Sequence, residues 1–170
     1  MLPTWTALAD ALRRTDLLIE ADPAPPTLTG LSSDSRSVQQ GEMYLAVRGS
    51  QFDGHRFAAD AVARGASALM VETRQALPVP QMVVRDGKRA ANLLARTWYG
   101  DPGSRLTLAG VTGTNGKTTT TALIRHLLNG TGTAGSIGTL GAFDGSGNPV
   151  TSTAGSLTTP GPVDLQATLA

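Results

Sequence analysis

Apolar residues recur along the chain with the spacing of helices in three segments. In residues 4–14, Leu8 and Leu12 are four positions apart, which places both on one face of an amphipathic helix. The same spacing occurs in residues 55–64 and again in residues 88–99, where the alanines, Leu94 and the tryptophan fall on one face. We therefore predict a helix in each of these three segments.

Shorter apolar runs predict buried strands. Such runs occupy residues 42–47, 68–71 and 81–84, and each is bounded by turn-forming or polar residues. A further run at residues 106–109 predicts a buried strand directly before a glycine-rich segment. Because the predicted strands alternate with helices, the pattern indicates an α/β fold with a mainly parallel sheet.

Turn-forming residues divide the chain. Residues 21–26 form a proline-rich connector, and the sequence Gly-Asp-Pro-Gly-Ser at residues 100–104 indicates a domain boundary. We assign residues 1–100 to a first domain and residues 101–170 to a second. Only about 70 residues follow this boundary, fewer than an α/β nucleotide-binding domain usually contains. We therefore expect the chain to be the N-terminal part of a larger protein.

The glycine-rich segment gives the clearest chemical prediction. Its sequence, Gly113-Thr-Asn-Gly-Lys-Thr-Thr119, leads into a predicted helix at residues 120–128. Backbone N–H groups of such a turn, together with the helix N-terminus, bind phosphate. Lys117 can reach the β- and γ-phosphates, and the Thr118 hydroxyl can ligate Mg²⁺. Val111 departs from the strict phosphate-loop pattern, which has glycine there, so an ordinary turn capping a core helix is the alternative.

Composition narrows the classes of function. A net charge of +1 gives no electrostatic reason to expect binding to nucleic acid or to an anionic membrane. The absence of cysteine excludes disulfides and thiolate metal sites and fits a reducing cytoplasm. No signal peptide is recognisable, and no apolar run approaches the ~18 residues of a membrane span. We expect a soluble, cytoplasmic protein.

Three segments together resemble the Mur ligases, bacterial enzymes that build the peptide of peptidoglycan. The first is Asp34-Ser-Arg36, the second is Asp53-Gly-His55 with the alanine-rich helix after it, and the third is the loop at residues 113–119. The resemblance extends from about Leu31 to the last residue. It implies a nucleotide-sugar-binding α/β domain followed by the start of a phosphate-loop ATPase-type domain with a parallel sheet.

Two further segments resemble one branch of the family, the branch that adds the third amino acid of the peptide. They are Gly138-Thr-Leu-Gly141 and Leu157-Thr-Thr-Pro160. This resemblance implies an ATP- and Mg²⁺-dependent ligase that joins meso-diaminopimelate or L-lysine to UDP-MurNAc-L-Ala-D-Glu through an acyl phosphate. We expect a monomer, and we expect residues 1–170 alone to be inactive, because the family places further catalytic groups and the amino-acid-binding domain later in the chain.

The resemblance also implies roles for individual residues. Lys117 would stabilise charge on the transferred phosphoryl group as the catalytic residue, and Thr118 would hold the metal. Leu157 stands where relatives often have asparagine. The residues implied in ATP binding are Gly113, Thr114, Asn115, Gly116, Lys117, Thr118 and Thr119. Those implied in substrate binding are Ser33 and Ser35 for the nucleotide sugar, Ser50, Gln51 and Phe52 for the uracil, and Thr158 and Thr159 for the muramoyl-peptide.

Alternative interpretations of these segments remain open at the level of sequence. The chain would also suit the ligase that adds D-Ala-D-Ala, a uridine-nucleotide-binding module without catalysis, or an NTPase that uses hydrolysis as a switch. Ser33 and Ser35 are also ordinary turn residues. Asp34 and Arg36 would then form only a surface ion pair, and His55 would be a capping or surface residue near a helix start.

Overall fold

The computed structural model describes residues 2–25, 28–49, 52–130, 133–150 and 160–170. The chain divides into two compact units, Met1–Asp101 and Pro102–Ala170. None of the helices in the described part of the chain is long and apolar enough to cross a membrane.

A five-stranded sheet forms the centre of the first unit. Its strands are β1 (Leu18–Ala21), β2 (Gly30–Ser32), β3 (Glu42–Leu45), β4 (Ala68–Val71) and β5 (Gln81–Val84). They lie in the order β1-β5-β4-β3-β2, with β2 to β5 parallel and β1 antiparallel to β5. The three predicted strands are confirmed as β3, β4 and β5, and the α/β class with a mainly parallel sheet is confirmed with them.

Three helices of the first unit confirm the amphipathic segments. They are α1 (Trp5–Arg14), α2 (Ala58–Ala63), which follows a 3₁₀ turn at Gly54–Phe57, and α3 (Gly87–Trp98). Two of them begin at side chains that accept otherwise unpaired backbone N–H groups. Thr4 accepts the N–H of Ala7 at the start of α1, and Asp86 accepts the N–H of Arg89 at the start of α3.

Helices cover both faces of this sheet. Successive side chains of a strand point to opposite faces, so neighbouring residues enter different cores. Tyr44 and Leu69 belong to one buried cluster together with Ala61 of α2. Met43 and Met70 are fully buried on the opposite face, where α1 packs against α3 and α3 contacts β2 and β4. The buried residues of this unit are mostly alanine, leucine and valine.

The parallel strands bring their carboxyl ends to the same edge of the sheet. The chain leaves β2 at residue 33, β3 at residue 46, β4 at residue 72 and β5 at residue 85. Ligands of open α/β sheets bind at this edge, because the loops that follow the strands converge there. These loops contain two of the segments that resemble the family, Asp34-Ser-Arg36 and Asp53-Gly-His55.

The second unit contains two helices and a small antiparallel sheet. The helices are α4 (Lys117–Leu128) and α5 (Pro162–Leu169), and the strands are β6 (Ser136–Gly138), β7 (Gly141–Phe143) and β8 (Pro149–Val150). Arg125 of α4 joins helix to sheet. Its Nε donates to the carbonyl of Ala134 at 3.1 Å, and its guanidinium lies 5.8 Å from the centre of the Phe143 ring.

The predicted strand at residues 106–109 is wrong. These residues form no strand, and Leu106 and Leu108 are 48% and 60% exposed. A strand requires a neighbour for its backbone hydrogen bonds and an apolar layer for its side chains. Among the described residues of this unit, the three strands pair with one another, and none pairs with residues 106–109.

Candidate functional site

Tyr44 brings two of the sequence-predicted segments together at the carboxyl edge of the first unit. Its hydroxyl donates a hydrogen bond to the carbonyl of Gly54 at 3.1 Å. Burial is the largest of the causes that raise the pKa of Tyr44 to about 12, and the nearby carboxylates of Asp34 and Asp53 contribute in the same direction. The loops after β2 and β3 therefore both approach this one phenol.

The loop after β2 is a turn fixed by its own hydrogen bonds. The Ser32 hydroxyl donates to the backbone carbonyl of Asp34 at 3.0 Å. Arg36 donates to the two carboxylate oxygens of Asp34 from Nε at 2.9 Å and from Nη2 at 2.7 Å, which lowers the pKa of Asp34. This confirms the predicted ion pair. Ser33 is half-buried and Ser35 is buried, and their contacts with a nucleotide sugar stay predictions.

The loop after β3 is closed at its base by backbone contacts and carries an exposed aromatic ring. The N–H of Gly49 donates to the carbonyl of Phe52 at 2.8 Å, and Arg48 pairs with Asp53 as an isolated antiparallel bridge. Phe52 is 69% exposed. This exposed ring offers a flat apolar surface on which a planar base can stack. Ser50 and Gln51 lie outside the described residues.

The imidazole of His55 is buried within this loop, although the residue as a whole is half-buried. Its side chain is 8% exposed; its Nε2 accepts the backbone N–H of Glu72 at 2.8 Å, and its Nδ1 lies 2.6 Å from Oδ1 of Asp53. The interpretation of His55 as a capping or surface residue is wrong. The capping residue is Asp53, whose side chain accepts the N–H of His55 at the start of the 3₁₀ turn.

Glu72 extends these contacts to the start of α3. Its Oε1 accepts the N–H of Gly87 at 2.7 Å, and its Oε2 lies 3.1 Å from Nε of Arg48. We call Arg48, Asp53, His55 and Glu72 the edge network. It ties the loop after β3 to the end of β4 and to the N-terminus of α3. Sequence reasoning missed it, and the available signal was the Asp-Gly-His triplet placed directly before a helix.

The glycine-rich loop of the second unit ends at the N-terminus of α4. Gly116 is the residue that precedes the helix, and its φ of +80° lies in the left-handed region, which glycine adopts without strain. Lys117 reaches back across the loop, with Nζ 2.6 Å from the carbonyl oxygen of Gly113 and 3.3 Å from that of Thr114. The ammonium group therefore lies over the loop rather than away from it.

The first turn of α4 has the chemistry of an anion site. It contains no acidic residue, and no side chain caps it, so the N–H groups of its first residues have no partner within the helix. Lys117 and the hydroxyls of Thr118 and Thr119 add a positive charge and further hydrogen-bonding groups. The loop from Gly113 to Gly116 is exposed. These residues fit the phosphates of ATP.

A metal would find few protein ligands in the described part of the chain. No group of three or more histidine, aspartate or glutamate side chains there is arranged to hold an ion. The Thr118 hydroxyl fits Mg²⁺ as a single ligand beside bound phosphates, since Mg²⁺ keeps most of its other ligands as water or phosphate oxygens. Thr158 and Thr159, predicted to contact the muramoyl-peptide, lie outside the described residues.

Two family models match successive parts of the chain. The model described as the Mur ligase family, catalytic domain, matches residues 27–97, and the Mur ligase middle domain matches residues 111–170. The chain belongs to the Mur ligase family. This confirms the resemblance inferred from the sequence.

Curated Mur ligases share long stretches of identity with the chain. A protein of Geobacillus kaustophilus is 47% identical over 116 residues, which are 68% of this chain and 24% of that protein. A protein of Pseudomonas putida is 43% identical over 151 residues, which are 85% of this chain and 29% of that protein. Both are named UDP-N-acetylmuramoyl-L-alanyl-D-glutamate–2,6-diaminopimelate ligase. The chain thus spans about a quarter of the length of these relatives.

Solved Mur ligase structures share the fold. A structure named for the same diaminopimelate ligase superposes with a TM-score of 0.66 at 23% identity and covers 99% of this chain and 33% of that chain. The D-alanyl-D-alanyl ligase of Acinetobacter baumannii superposes with a TM-score of 0.56 at 29% identity, over 76% of this chain and 29% of that chain. Both likenesses agree with the α/β class predicted from the sequence.

Proposed function

We propose that the whole protein is an ADP-forming amide ligase that adds 2,6-diaminopimelate to UDP-MurNAc-L-Ala-D-Glu. The observation that carries the catalytic part of this proposal is Lys117, whose ammonium lies over a glycine-rich loop at an uncapped helix N-terminus. The substrates are proposed from the relatives that are 43% and 47% identical and carry this name.

The second unit would hold the phosphates of ATP. Backbone N–H groups at the start of α4 would bind the phosphate oxygens, and Lys117 would offset the negative charge that builds up on the transferred phosphoryl group. Thr118 would ligate Mg²⁺ through its hydroxyl. Because phosphoryl transfer requires little covalent chemistry from the protein, these residues contribute by positioning groups and neutralising charge.

The bound ATP would supply the phosphoryl group that activates the γ-carboxylate of D-glutamate as an acyl phosphate. The amine of the diamino acid then attacks the activated carbonyl carbon. A C–N bond forms, the C–O bond to phosphate breaks, and the amine loses a proton. The products are the amide, ADP and inorganic phosphate. The proton that the amine loses is released to water.

The first unit would bind the uridine end of the substrate. The carboxyl edge of its parallel sheet places the Asp34 turn and the Phe52 loop on neighbouring strands, around Tyr44. Ser33 and Ser35 would contact the nucleotide sugar, and Ser50, Gln51 and Phe52 would lie over the uracil. Binding at this edge agrees with the general behaviour of open α/β sheets.

The ligase that adds D-Ala-D-Ala is the second candidate. The observation that supports this candidate is a solved D-alanyl-D-alanyl ligase that is 29% identical over 76% of this chain. Calorimetric titration of the complete protein separates the two. Tighter binding of UDP-MurNAc-L-Ala-D-Glu supports the diaminopimelate ligase, and tighter binding of UDP-MurNAc-tripeptide supports the D-Ala-D-Ala ligase. Binding of neither would leave the uridine-binding and catalytic proposals without support.

Amide formation tests the role of Lys117. We expect Lys117→Ala in the complete protein to abolish diaminopimelate-dependent ADP release, because the charge on the transferred phosphoryl group loses its partner. Lys88→Ala is the matched control, since Lys88 is an exposed lysine of α3 in the first unit. Unchanged amide formation by Lys117→Ala would contradict the mechanism. Replacing diaminopimelate by L-lysine in the same assay tests the choice of amino acid.

A further inference from the structure

The edge network has no role in the chemistry proposed above, yet it is built from four charged or ionisable side chains at the carboxyl edge. Its central member, His55, contacts one backbone group and one carboxylate, and its side chain is 8% exposed. A buried imidazole with both nitrogens engaged is held in one orientation.

The hydrogen bonds of His55 define its tautomer. Nε2 accepts the N–H of Glu72 and therefore carries no proton. Nδ1 faces Oδ1 of Asp53 at 2.6 Å, so the proton resides on Nδ1 and is donated to that carboxylate. The neutral ring thus links the end of β4 to Asp53, the last residue of the turn that carries Phe52.

The turn itself depends on Asp53. Asp53 pairs with Arg48 across the base of the turn, where Nε of Arg48 lies 3.5 Å from Oδ2 of Asp53. Arg48 is held from the other side by Glu72 at 3.1 Å. Both ends of the turn are therefore fastened to the end of β4, one through His55 and one through Glu72. Phe52 projects from a turn whose base cannot shift without breaking these contacts.

We propose that His55 is a positioning residue for nucleotide binding, which sets the orientation of the turn that presents Phe52 to the uracil. This inference rests on the proposed function, because it assumes that the first unit binds a uridine nucleotide. His55 itself would not touch the ligand. Its effect would pass through Asp53 to the turn, so its loss would weaken binding of the nucleotide without affecting ATP.

The test uses the complete protein and titrates it with UDP and, separately, with ATP. We expect His55→Phe, which fills the buried space without either nitrogen, to weaken UDP binding about tenfold. The variant removes the acceptor of the Glu72 N–H and the imidazole donor to Asp53, which then holds the turn only through Arg48 and a backbone N–H. Affinity for ATP should stay unchanged. His126→Phe is the matched control, because His126 is an exposed histidine on α4.

A double-mutant cycle with Phe52→Ala distinguishes positioning from a separate structural effect. If His55 acts through the turn, His55→Phe has little further effect on UDP affinity once Phe52 is alanine. Fully additive losses in the cycle would overturn the inference. So would a Phe52→Ala variant that binds UDP as tightly as the unsubstituted protein.

Two conservative variants keep the inference testable if His55→Phe unfolds. His55→Gln retains an acceptor near the position of Nε2, and His55→Asn retains a donor near the position of Nδ1. We expect each to recover part of the lost UDP affinity, and recovery by neither would count against the inference.

¹⁵N spectra of the unsubstituted protein should show the His55 tautomer protonated at Nδ1, and the other tautomer would contradict the inference. Failure of the unsubstituted protein to bind UDP would overturn the proposed function, and this inference with it.

Discussion

The hydroxyl of Tyr44 donates a hydrogen bond to the backbone carbonyl of Gly54 at 3.1 Å and so ties β3 to the 3₁₀ turn that follows the Phe52 loop. The phenol is 2% exposed. Desolvation, together with the carboxylates of Asp34 and Asp53, raises its pKa from 10.0 to about 12. The neutral phenol is therefore favoured by the fold.

Because the pKa of Tyr44 is higher in the folded than in the unfolded protein, the free energy of unfolding should fall at alkaline pH. The neutral hydroxyl stabilises the fold fully below pH 10, and this contribution is lost as the pH rises from 10 to 12. The loss amounts to about 2–3 kcal/mol. We expect Tyr44→Phe to lower the free energy of unfolding at neutral pH by about 1 kcal/mol, because the hydrogen bond is lost. The variant has no phenol to ionise, so it should not lose this further stability at alkaline pH.

Denaturant unfolding of both proteins between neutral pH and pH 12 measures this effect. The free energies of unfolding should converge and then cross as the pH rises. Two profiles that stay parallel to pH 12 would show that Tyr44 titrates equally in the folded and unfolded states. Tyr99→Phe serves as a control for general effects of removing a phenol.

Asp22 joins two distant parts of the first unit. Its carboxylate accepts hydrogen bonds from both terminal nitrogens of Arg74, at 2.8 and 3.0 Å, and from the N–H of Gln81 at 2.9 Å. The bond from Arg74 is the largest cause that lowers the pKa of Asp22 below its ordinary 3.8. The ionised form therefore stabilises the fold above pH 3.8, and this contribution is lost as the pH falls through the folded-state value.

We expect Asp22→Asn to lower the free energy of unfolding at pH 7 by about 1 kcal/mol, a figure already discounted for partial solvent screening. The difference from the unsubstituted protein should shrink progressively at acid pH. Asp16→Asn is the control, since Asp16 is 88% exposed and lies 3.7 Å from Arg85. A difference that persists unchanged in acid would mean that shape, rather than charge, accounts for the role of Asp22.

Gly116 should be sensitive to substitution because of its backbone conformation. A Cβ there would meet no atom within 4 Å, so only the φ of +80° opposes a side chain. We expect Gly116→Ala to lower the free energy of unfolding by about 1 kcal/mol and to weaken ATP binding by the complete protein. Gly110→Ala is a matched control, because a Cβ at Gly110 also meets nothing within 4 Å and its φ is not positive. Equal ATP affinities of the two variants would contradict the assigned role of the loop.

Leu94 and Leu127 provide a matched pair for testing the core. Leu94 on α3 is completely buried, and Leu127 on α4 is 73% exposed. We expect Leu94→Ala to lower the free energy of unfolding by about 2–5 kcal/mol, because it leaves a cavity between α3 and the sheet. Leu127→Ala should change it by less than about 0.5 kcal/mol. Similar losses would show that Leu127 is covered in solution.

Periodicity predicted the elements whose burial is regular and missed those that lie at the edge of the sheet. The strands β4 and β5 are buried at every residue, so their apolar runs were visible in the sequence. The strand β1 has no buried residue, and Ile19 in it is 55% exposed. The strand β2 has three residues and only one apolar side chain, Leu31. Whether such an edge strand forms depends on the strand with which it pairs, and the local sequence does not specify that partner.

The candidate sites were predictable where a site is one continuous segment. The phosphate-binding residues predicted at 113–119 follow one another directly in the sequence, so the motif could be recognised without the structure. The edge network does not, because Glu72 follows β4, whereas His55, which contacts its backbone N–H, and Arg48, which contacts its carboxylate, lie in the loop after β3. The strand expected at residues 106–109 failed for a related reason. Apolar character indicates that a segment should be covered, but it does not supply the neighbouring strand.

The antiparallel pairing of β1 with β5 has a consequence for the order in which the protein is made. Leu18 pairs with Val84 and Ala21 with Met82, so β1 is synthesised well before β5, the strand with which it pairs. At ordinary rates of synthesis, this interval lasts roughly 3–12 seconds. Meanwhile the nascent chain carries an unpaired strand edge, and the charges of Glu20 and Asp22 on and beside β1 discourage pairing with other nascent chains.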